Sequence, residues 1–165
     1  MERKNSEQIK KLCMTAMLTA LVCVSTIVVR IPSPLGGYIN LGDTCVIISG
    51  WLLGPVYGFI AGGMGSAFAD LFSGYTAYVP GTLIIKGIMA LICSFLSSGR
   101  AKKFISSVIA EAVMIIGYYF YAVILGYGLN GAFQTIPGNA VQGVLGIIGS
   151  IVIGEIVVRI GSKRI

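Results

Sequence analysis

The uncharged run LCMTAMLTALVCVSTIVV occupies residues 12–29 and lies between basic residues, with Lys11 before it and Arg30 after it. At the helical rise of about 1.5 Å per residue, a run of this length forms a helix close to the roughly 30 Å thickness of a hydrocarbon core. The run has no small-residue cleavage site at its end, as a secretory signal would. It therefore predicts a retained first membrane span.

Five further apolar runs follow, and together they set the fold class. The chain has 165 residues, of which 56% are hydrophobic and 11% are charged, whereas about a quarter of the residues in a soluble domain are charged. The mean hydropathy is +0.91. Six spans of roughly 20 residues use about 120 residues and leave only short loops. We therefore expect an all-α integral membrane protein, with one six-helix domain over residues 1–165 and spans at about 12–29, 43–53, 56–72, 79–96, 104–127 and 139–160.

The basic residues predict the orientation of these spans. Lys and Arg are enriched in short cytoplasmic loops, and an arrangement with both termini in the cytoplasm places ten of the twelve basic residues on that side. The ten are Arg3, Lys4, Lys10, Lys11, Arg100, Lys102, Lys103, Arg159, Lys163 and Arg164. The connections at about 30–42, 73–79 and 128–138 then face outward. They are rich in Gly, Pro, Tyr and Asn, as expected of loops that cover a binding site.

Ionisable residues at membrane depth are costly and therefore mark functional candidates. Lys86 lies within the fourth predicted span, and Asp70 is its most plausible partner from the third. An ion pair that joins the two spans and a direct contact with a polar ligand both remain open for Lys86 and Asp70. For Glu111, in the fifth span, helix packing or a partner contact is favoured over ligand binding.

Hydrogen-bonding and aromatic side chains recur near the outer ends of the spans. Asn139 and Gln142 are three residues apart, so both amides can face one cavity from one side of a helix. Aromatic walls, amides and one lysine suit a small, flat, mostly neutral heterocycle. The predicted substrate-binding residues are Tyr38, Asn40, Tyr75, Lys86, Tyr118, Asn139 and Gln142.

The sequence argues against an enzyme. It contains no histidine, the commonest general base and metal ligand, and no nucleotide-binding or hydrolase motif. The four cysteines lie in or beside apolar runs without paired spacing, as core-packing thiols do. We predict no catalytic residue, no metal site and no cofactor, so any use of ATP requires another chain.

Several motifs, in this order, resemble the substrate-binding S component of energy-coupling factor (ECF) vitamin transporters. The first is Ala16-x-x-x-Ala20, a small-residue pair that by itself indicates only helix packing. It is followed by YINLGD at 38–43, GSAFADL at 65–71, PGTLIIKG at 80–87 and IPGNAVQ at 136–142. The resemblance covers nearly the whole chain.

This resemblance implies a multi-pass protein of a prokaryotic cell membrane that captures a vitamin or related micronutrient from outside. It implies docking, through Ala16 and Ala20, on a transmembrane coupling protein that carries two ATPases. It also implies a gate between the first two spans, at Arg30 to Leu41, and a pocket that includes Lys86, Tyr118, Asn139 and Gln142. Nucleic acid is not an implied partner.

The pattern looks most like the subgroup linked to hydroxymethylpyrimidine or vitamin B6 compounds. Trp51 is the only tryptophan, which disfavours the Trp-rich pocket expected for thiamine. Riboflavin, pantothenate, folate, niacin and queuosine precursors remain open as ligands. Two other classes also remain: a self-sufficient proton-coupled carrier that uses Asp70, Lys86 and Glu111, and a purely structural membrane protein.

Overall fold

The computed structural model describes the backbone of residues 2–32 and 38–162, and the side chains of residues 5–31, 38–154 and 156. Within these ranges the chain is almost entirely helical. Its helices are α1 (Glu2–Val28), α2 (Gly42–Leu53), α3 (Pro55–Phe72), α4 (Val79–Phe95), α5 (Arg100–Ala122), α6 (Gly128–Phe133) and α7 (Thr135–Ser162). The expectation of an all-α membrane protein is confirmed at this level.

Prolines at helix starts explain several boundaries. Pro55 and Pro80 lie in the first turns of α3 and α4, where the missing N–H of proline has no helical partner to lose. Gly54 separates α2 from α3 with φ of +78°, a conformation that glycine adopts readily. A short 3₁₀ turn, Thr76–Tyr78, leads into α4.

The connection between α1 and α2 contains a small antiparallel β-ladder. Strand β1 (Arg30–Pro32) pairs with β2 (Tyr38–Asn40), with Ile31 opposite Ile39. The sequence predicted only a loop and a gate here, and residues 33–37 lie outside the described residues. The ladder fixes Tyr38 and Asn40 at one end of the helix bundle.

The connection predicted at 128–138 is a second difference. The segment Val123–Tyr127 follows α5 and contains a kink at Gly126, whose φ is +93°. Helix α6 then begins at Gly128, whose φ is also positive. Helix α7 already begins at Thr135. Pro137 does not prevent this start, because it falls in the first turn of the helix, where proline is tolerated. The expected loop at 128–138 is therefore mostly helical.

Small residues allow the helices to approach closely. A Cβ atom placed on Gly63 of α3 would lie 2.6 Å from the backbone oxygen of Leu83 in α4. A Cβ atom on Gly65 would lie 2.6 Å from the backbone oxygen of Thr19 in α1. Both distances are too short for a real carbon atom, so these glycines set the spacing of α3 from its neighbours. Such contacts replace the hydrophobic effect as the association force between helices in lipid.

Helix α2 lies among α1, α3, α4 and α7. Its Val46 and Ile47 are fully buried together with Met89 of α4 and Met114 of α5. Large apolar side chains also cover the outside of the bundle, including Phe72 and Ile124. In a soluble protein such an extensive apolar surface would be unusual, whereas it fits contact with lipid.

Four stretches within the described residues are long and apolar enough to cross a membrane: Asn5–Val28, Thr76–Phe95, Arg100–Phe133 and Thr135–Gly154. Helix α2 has 12 residues and would rise only about 18 Å. The count of six spans and the cytoplasmic placement of both termini remain predictions.

Candidate functional site

A cavity lies at the end of the bundle where α1 ends, α2 begins, α3 ends and α4 begins. The β-ladder, the second half of α5 and the first turns of α7 complete its wall. Counted with the open space at its mouth, the cavity has a volume of about 680 Å³.

All seven residues predicted to bind substrate line this cavity. They are Tyr38, Asn40, Tyr75, Lys86, Tyr118, Asn139 and Gln142. Their contact with a ligand stays a prediction. The wall also includes side chains that were not among the predicted substrate-binding residues: Thr26, Ser66, Asp70, Tyr78, Thr82 and Thr135. Asp70 was considered from the sequence only as a partner of Lys86 or as an alternative ligand contact.

The partner of Lys86 differs from the expected one. Its ammonium group forms an ion pair with Asp43 of α2, and both side chains are almost completely buried. Asp70 was the expected partner, but its carboxyl accepts a hydrogen bond from Tyr38 instead. Asp43 stands at the start of an apolar run, so the sequence pattern marked it as a boundary residue. Only the packing of α2 among other helices places it beside Lys86.

Gln142 connects the ion pair to the β-ladder. Its amide nitrogen donates to Asp43 Oδ2 at 2.8 Å, and its amide oxygen accepts from the backbone N–H and the side-chain Nδ2 of Asn40 at 3.0 and 3.1 Å. Asn40 Oδ1 in turn accepts from the Gly42 backbone N–H at 2.8 Å. These bonds join β2 to α7 and to the start of α2. They give each side-chain nitrogen and oxygen atom of Asn40 and Gln142 a protein partner, and they use one of the two hydrogens on each amide nitrogen.

Tyrosines form one side of the cavity. The Tyr38 hydroxyl donates to Asp70 Oδ1 at 2.5 Å, which ties β2 to α3. Burial, and after it the nearby Asp70 carboxyl, raises the pKa of Tyr38 above its usual range, so this phenol remains a donor. The ring centroids of Tyr38 and Tyr75 lie 4.9 Å apart, and those of Tyr75 and Tyr78 lie 6.4 Å apart. The distances are those of aromatic pairs in contact.

Tyr118 lies between the polar groups of the cavity. Its ring centroid is 5.4 Å from the Lys86 ammonium nitrogen, a cation–π distance. Its hydroxyl is 3.0 Å from Thr82 Oγ1, and either atom can be the donor. Asn139 of α7 is half-buried and also lines the cavity. Next to it, Gly138 lies close to Ile39 of β2, so the start of α7 borders the ladder.

Glu111 does not line the cavity. It is 2% exposed, and neither of its carboxylate oxygens has a hydrogen-bond partner within the described part of the chain. It packs against Gly143 and Gly146 of α7, and a Cβ atom on Gly146 would also meet Asp43. This placement agrees with the sequence-based preference for a packing role of Glu111 over ligand binding.

Ala16 and Ala20 lie on the exposed side of α1, with the exposed Met17 and Leu21 beside them. Thr15 and Leu18 of the same helix are buried against the bundle. The small-residue pair is therefore not needed for packing within this chain. Its contact with a partner stays a prediction.

The comparisons with known proteins agree with the resemblance seen in the sequence. The family model described as "ECF-type riboflavin transporter, S component" matches residues 6–159. A protein of Pyrococcus woesei, described as an uncharacterized protein in gap 3'region, is 40% identical over 131 residues, which are 77% of this chain and 87% of that protein. The thiamine precursor transporter HmpT of Lactococcus lactis is 27% identical over 163 residues, which are 98% of this chain and 95% of that protein. The chain belongs to the family of S components of ECF-type riboflavin transporters.

Proposed function

We propose that this chain is the substrate-binding subunit of an ATP-driven importer, and that it captures hydroxymethylpyrimidine or a vitamin B6 compound from outside the cell. The observation that carries the proposal is that all seven predicted binding residues line one and the same cavity. Aromatic side chains and a few placed polar groups are the usual lining of a site for a small heterocycle.

The similarity to a thiamine precursor transporter along almost the whole chain supports a pyrimidine ligand. The family model carries the name of riboflavin instead, so riboflavin is the first alternative. Pantothenate, folate, niacin and queuosine precursors follow it. In the proposal, each of these ligands would bind in the same way, enclosed between the tyrosines on one side of the cavity and the start of α7.

The energy for import is proposed to come from partner chains. The coupling protein would dock on α1 at Ala16 and Ala20, where the bundle leaves the helix surface exposed, and its two ATPases would hydrolyse ATP. The proposal includes six spans, both termini in the cytoplasm of a prokaryotic cell, and a cavity that faces outward. The positive-inside distribution of ten basic residues supports this orientation.

A proton-coupled carrier is the second candidate, and Glu111 is the observation that favours it. This buried carboxyl has no hydrogen-bond partner among the residues that the structure describes, and it lies close to Asp43, which pairs with Lys86 on the cavity wall. Uptake into ATP-depleted vesicles that stops when an uncoupler is added, and that is lost in Glu111→Gln, would favour this candidate over the ATP-driven importer.

The binding proposal can be tested by titration calorimetry on the purified chain in detergent. Hydroxymethylpyrimidine, pyridoxine and riboflavin are the compounds to titrate. We expect one of them to bind, and Asn139→Ala to weaken that binding by about tenfold because one hydrogen bond to the ligand is lost. Asn130→Ala is the matched control, since Asn130 is exposed on α6 and does not line the cavity. Equal affinity of both variants would contradict the assignment of the cavity.

A further inference from the structure

Two buried polar atoms on the cavity wall have no hydrogen-bond partner in the described part of the protein. They are Ser66 Oγ and Asp70 Oδ2, on side chains that are 2% and 4% exposed. The two residues are four apart on α3, so they lie on the same face of the helix. Leaving such groups unpaired is costly, and native structures normally supply a partner from protein, water or ligand.

Several polar groups around them already have partners. Tyr38 donates its hydroxyl hydrogen to the other oxygen of Asp70. Of the Thr82 and Tyr118 hydroxyls, one donates to the other, and neither forms a hydrogen bond to Asp70 Oδ2. The missing partner of Asp70 Oδ2 must be a donor, because an ionised carboxylate only accepts hydrogen bonds. A molecule in the cavity can supply that donor.

The charged side chains at the cavity also restrict the charge of the ligand. Among the residues that line the cavity, Lys86 is the basic one and Asp70 the acidic one. Asp43 already neutralises Lys86. Arg30 does not line the cavity. Its guanidinium carbon is 5.9 Å from the Tyr38 ring centroid, and its Nε donates to the Ile27 backbone oxygen. Among the described residues that line the cavity, no second cation balances the Asp70 carboxylate, so another negative charge there would be repelled.

From these contacts we infer the class of substrate: an uncharged or protonated nitrogen heterocycle that presents an amino or hydroxyl donor to Asp70 and Ser66. The inference rests on the proposed binding function and deepens it. Among the open ligands it retains hydroxymethylpyrimidine, vitamin B6 alcohols and amines, riboflavin, and amine-bearing queuosine precursors. It excludes pantothenate, folate and niacin, whose carboxylates are ionised at neutral pH, and it excludes phosphorylated vitamins.

The test compares neutral compounds with their anionic derivatives on the purified full chain. The pairs are pyridoxine with 4-pyridoxic acid, riboflavin with flavin mononucleotide, and hydroxymethylpyrimidine with its phosphate. We expect the wild type to bind the neutral member of one pair at least 100-fold more tightly than the anionic member. Asp70→Asn should weaken binding of the neutral compound by about 10- to 100-fold, as for the loss of a hydrogen bond to a charged group. It should also reduce the neutral-to-anionic preference by at least tenfold, because the repelling charge is gone.

Ser66→Ala is a second variant that removes only one hydroxyl group and tests the inference if Asp70→Asn does not fold. It should weaken binding of the neutral compound by about 3- to 10-fold. Ser73→Ala is its matched control, since the Ser73 hydroxyl also has no partner among the described residues but does not line the cavity. The affinity of this control should equal that of the wild type.

The outcomes separate the inference from the proposed function. Binding of no compound from any pair would overturn the proposed function, and the inference with it. Binding of an anion as tightly as its neutral partner, or an unchanged preference in Asp70→Asn, would overturn the inference alone. So would equal affinities of Ser66→Ala and Ser73→Ala.

Discussion

Replacing Lys86 by methionine tests the buried ion pair beneath the cavity. Methionine keeps an unbranched side chain of similar length but removes the charge, so Asp43 is left buried with Gln142 as its remaining hydrogen-bond donor. Breaking a buried pair by removing one partner costs about 3–5 kcal/mol. At roughly 2–4 °C per kcal/mol for a chain of this size, the melting temperature should fall by roughly 6–20 °C.

The native thiols provide the assay. Cys93 is fully buried, so a thiol-reactive fluorescent dye reports its exposure as the protein is heated in detergent. The double variant Lys86→Met with Asp43→Asn should recover more than half of the loss, because it removes the unpaired charge. Lys86→Met with Asp70→Asn is the matched control and should recover none of it. Recovery in the second double variant and not in the first would refute the pairing of Lys86 with Asp43.

Three other variants test the docking surface, the tyrosine contact and the helix packing. Ala16→Trp or Ala20→Trp should abolish uptake in cells that contain the coupling module, while ligand affinity is unchanged. The control Val108→Trp, on the exposed side of α5, should transport normally. Loss of ligand affinity in Ala16→Trp or Ala20→Trp would contradict docking at these positions. Tyr38→Phe should speed ligand release about tenfold in stopped-flow measurements, because the bond that ties β2 to α3 is lost; an unchanged rate would argue against a closing role for the ladder. Gly65→Val should lower stability by about 2 kcal/mol or more in the thiol assay, since the added carbon atoms meet the α1 backbone, and a wild-type melting temperature would contradict that contact.

Much of the site follows from helical spacing and from the cost of burying polar groups in lipid. Asn139 and Gln142, three residues apart, were expected to face one cavity, and both line it. Lys86 was singled out because a charge so deep in an apolar run needs a partner. Local pattern is sufficient for such residues, since their positions along a single helix determine the side that they face.

The ion-pair partner of Lys86 could not be predicted from the sequence in the same way. Asp43 and Asp70 both lie near the same end of the bundle as Lys86, and the sequence does not give the distance between helices. Both α2 and α3 pack against α4, and the structure brings Asp43, not Asp70, to the Lys86 ammonium group. Similarly, Gly128–Phe133 contains two glycines and was expected to be a loop, but this segment forms the helix α6. Tertiary packing overrides weak helix propensity in so short a segment.

Native mass spectrometry of the freshly purified chain tests whether the cavity binds a small heterocycle. The protein should retain a small nitrogen heterocycle, detected as a discrete mass above that of the chain. The Ser66→Phe variant, which places a ring in the cavity, should remain folded in the thiol assay and lack that mass. A wild-type protein without any bound small molecule, which also gains none when incubated with hydroxymethylpyrimidine, pyridoxine or riboflavin, would refute the proposed binding function.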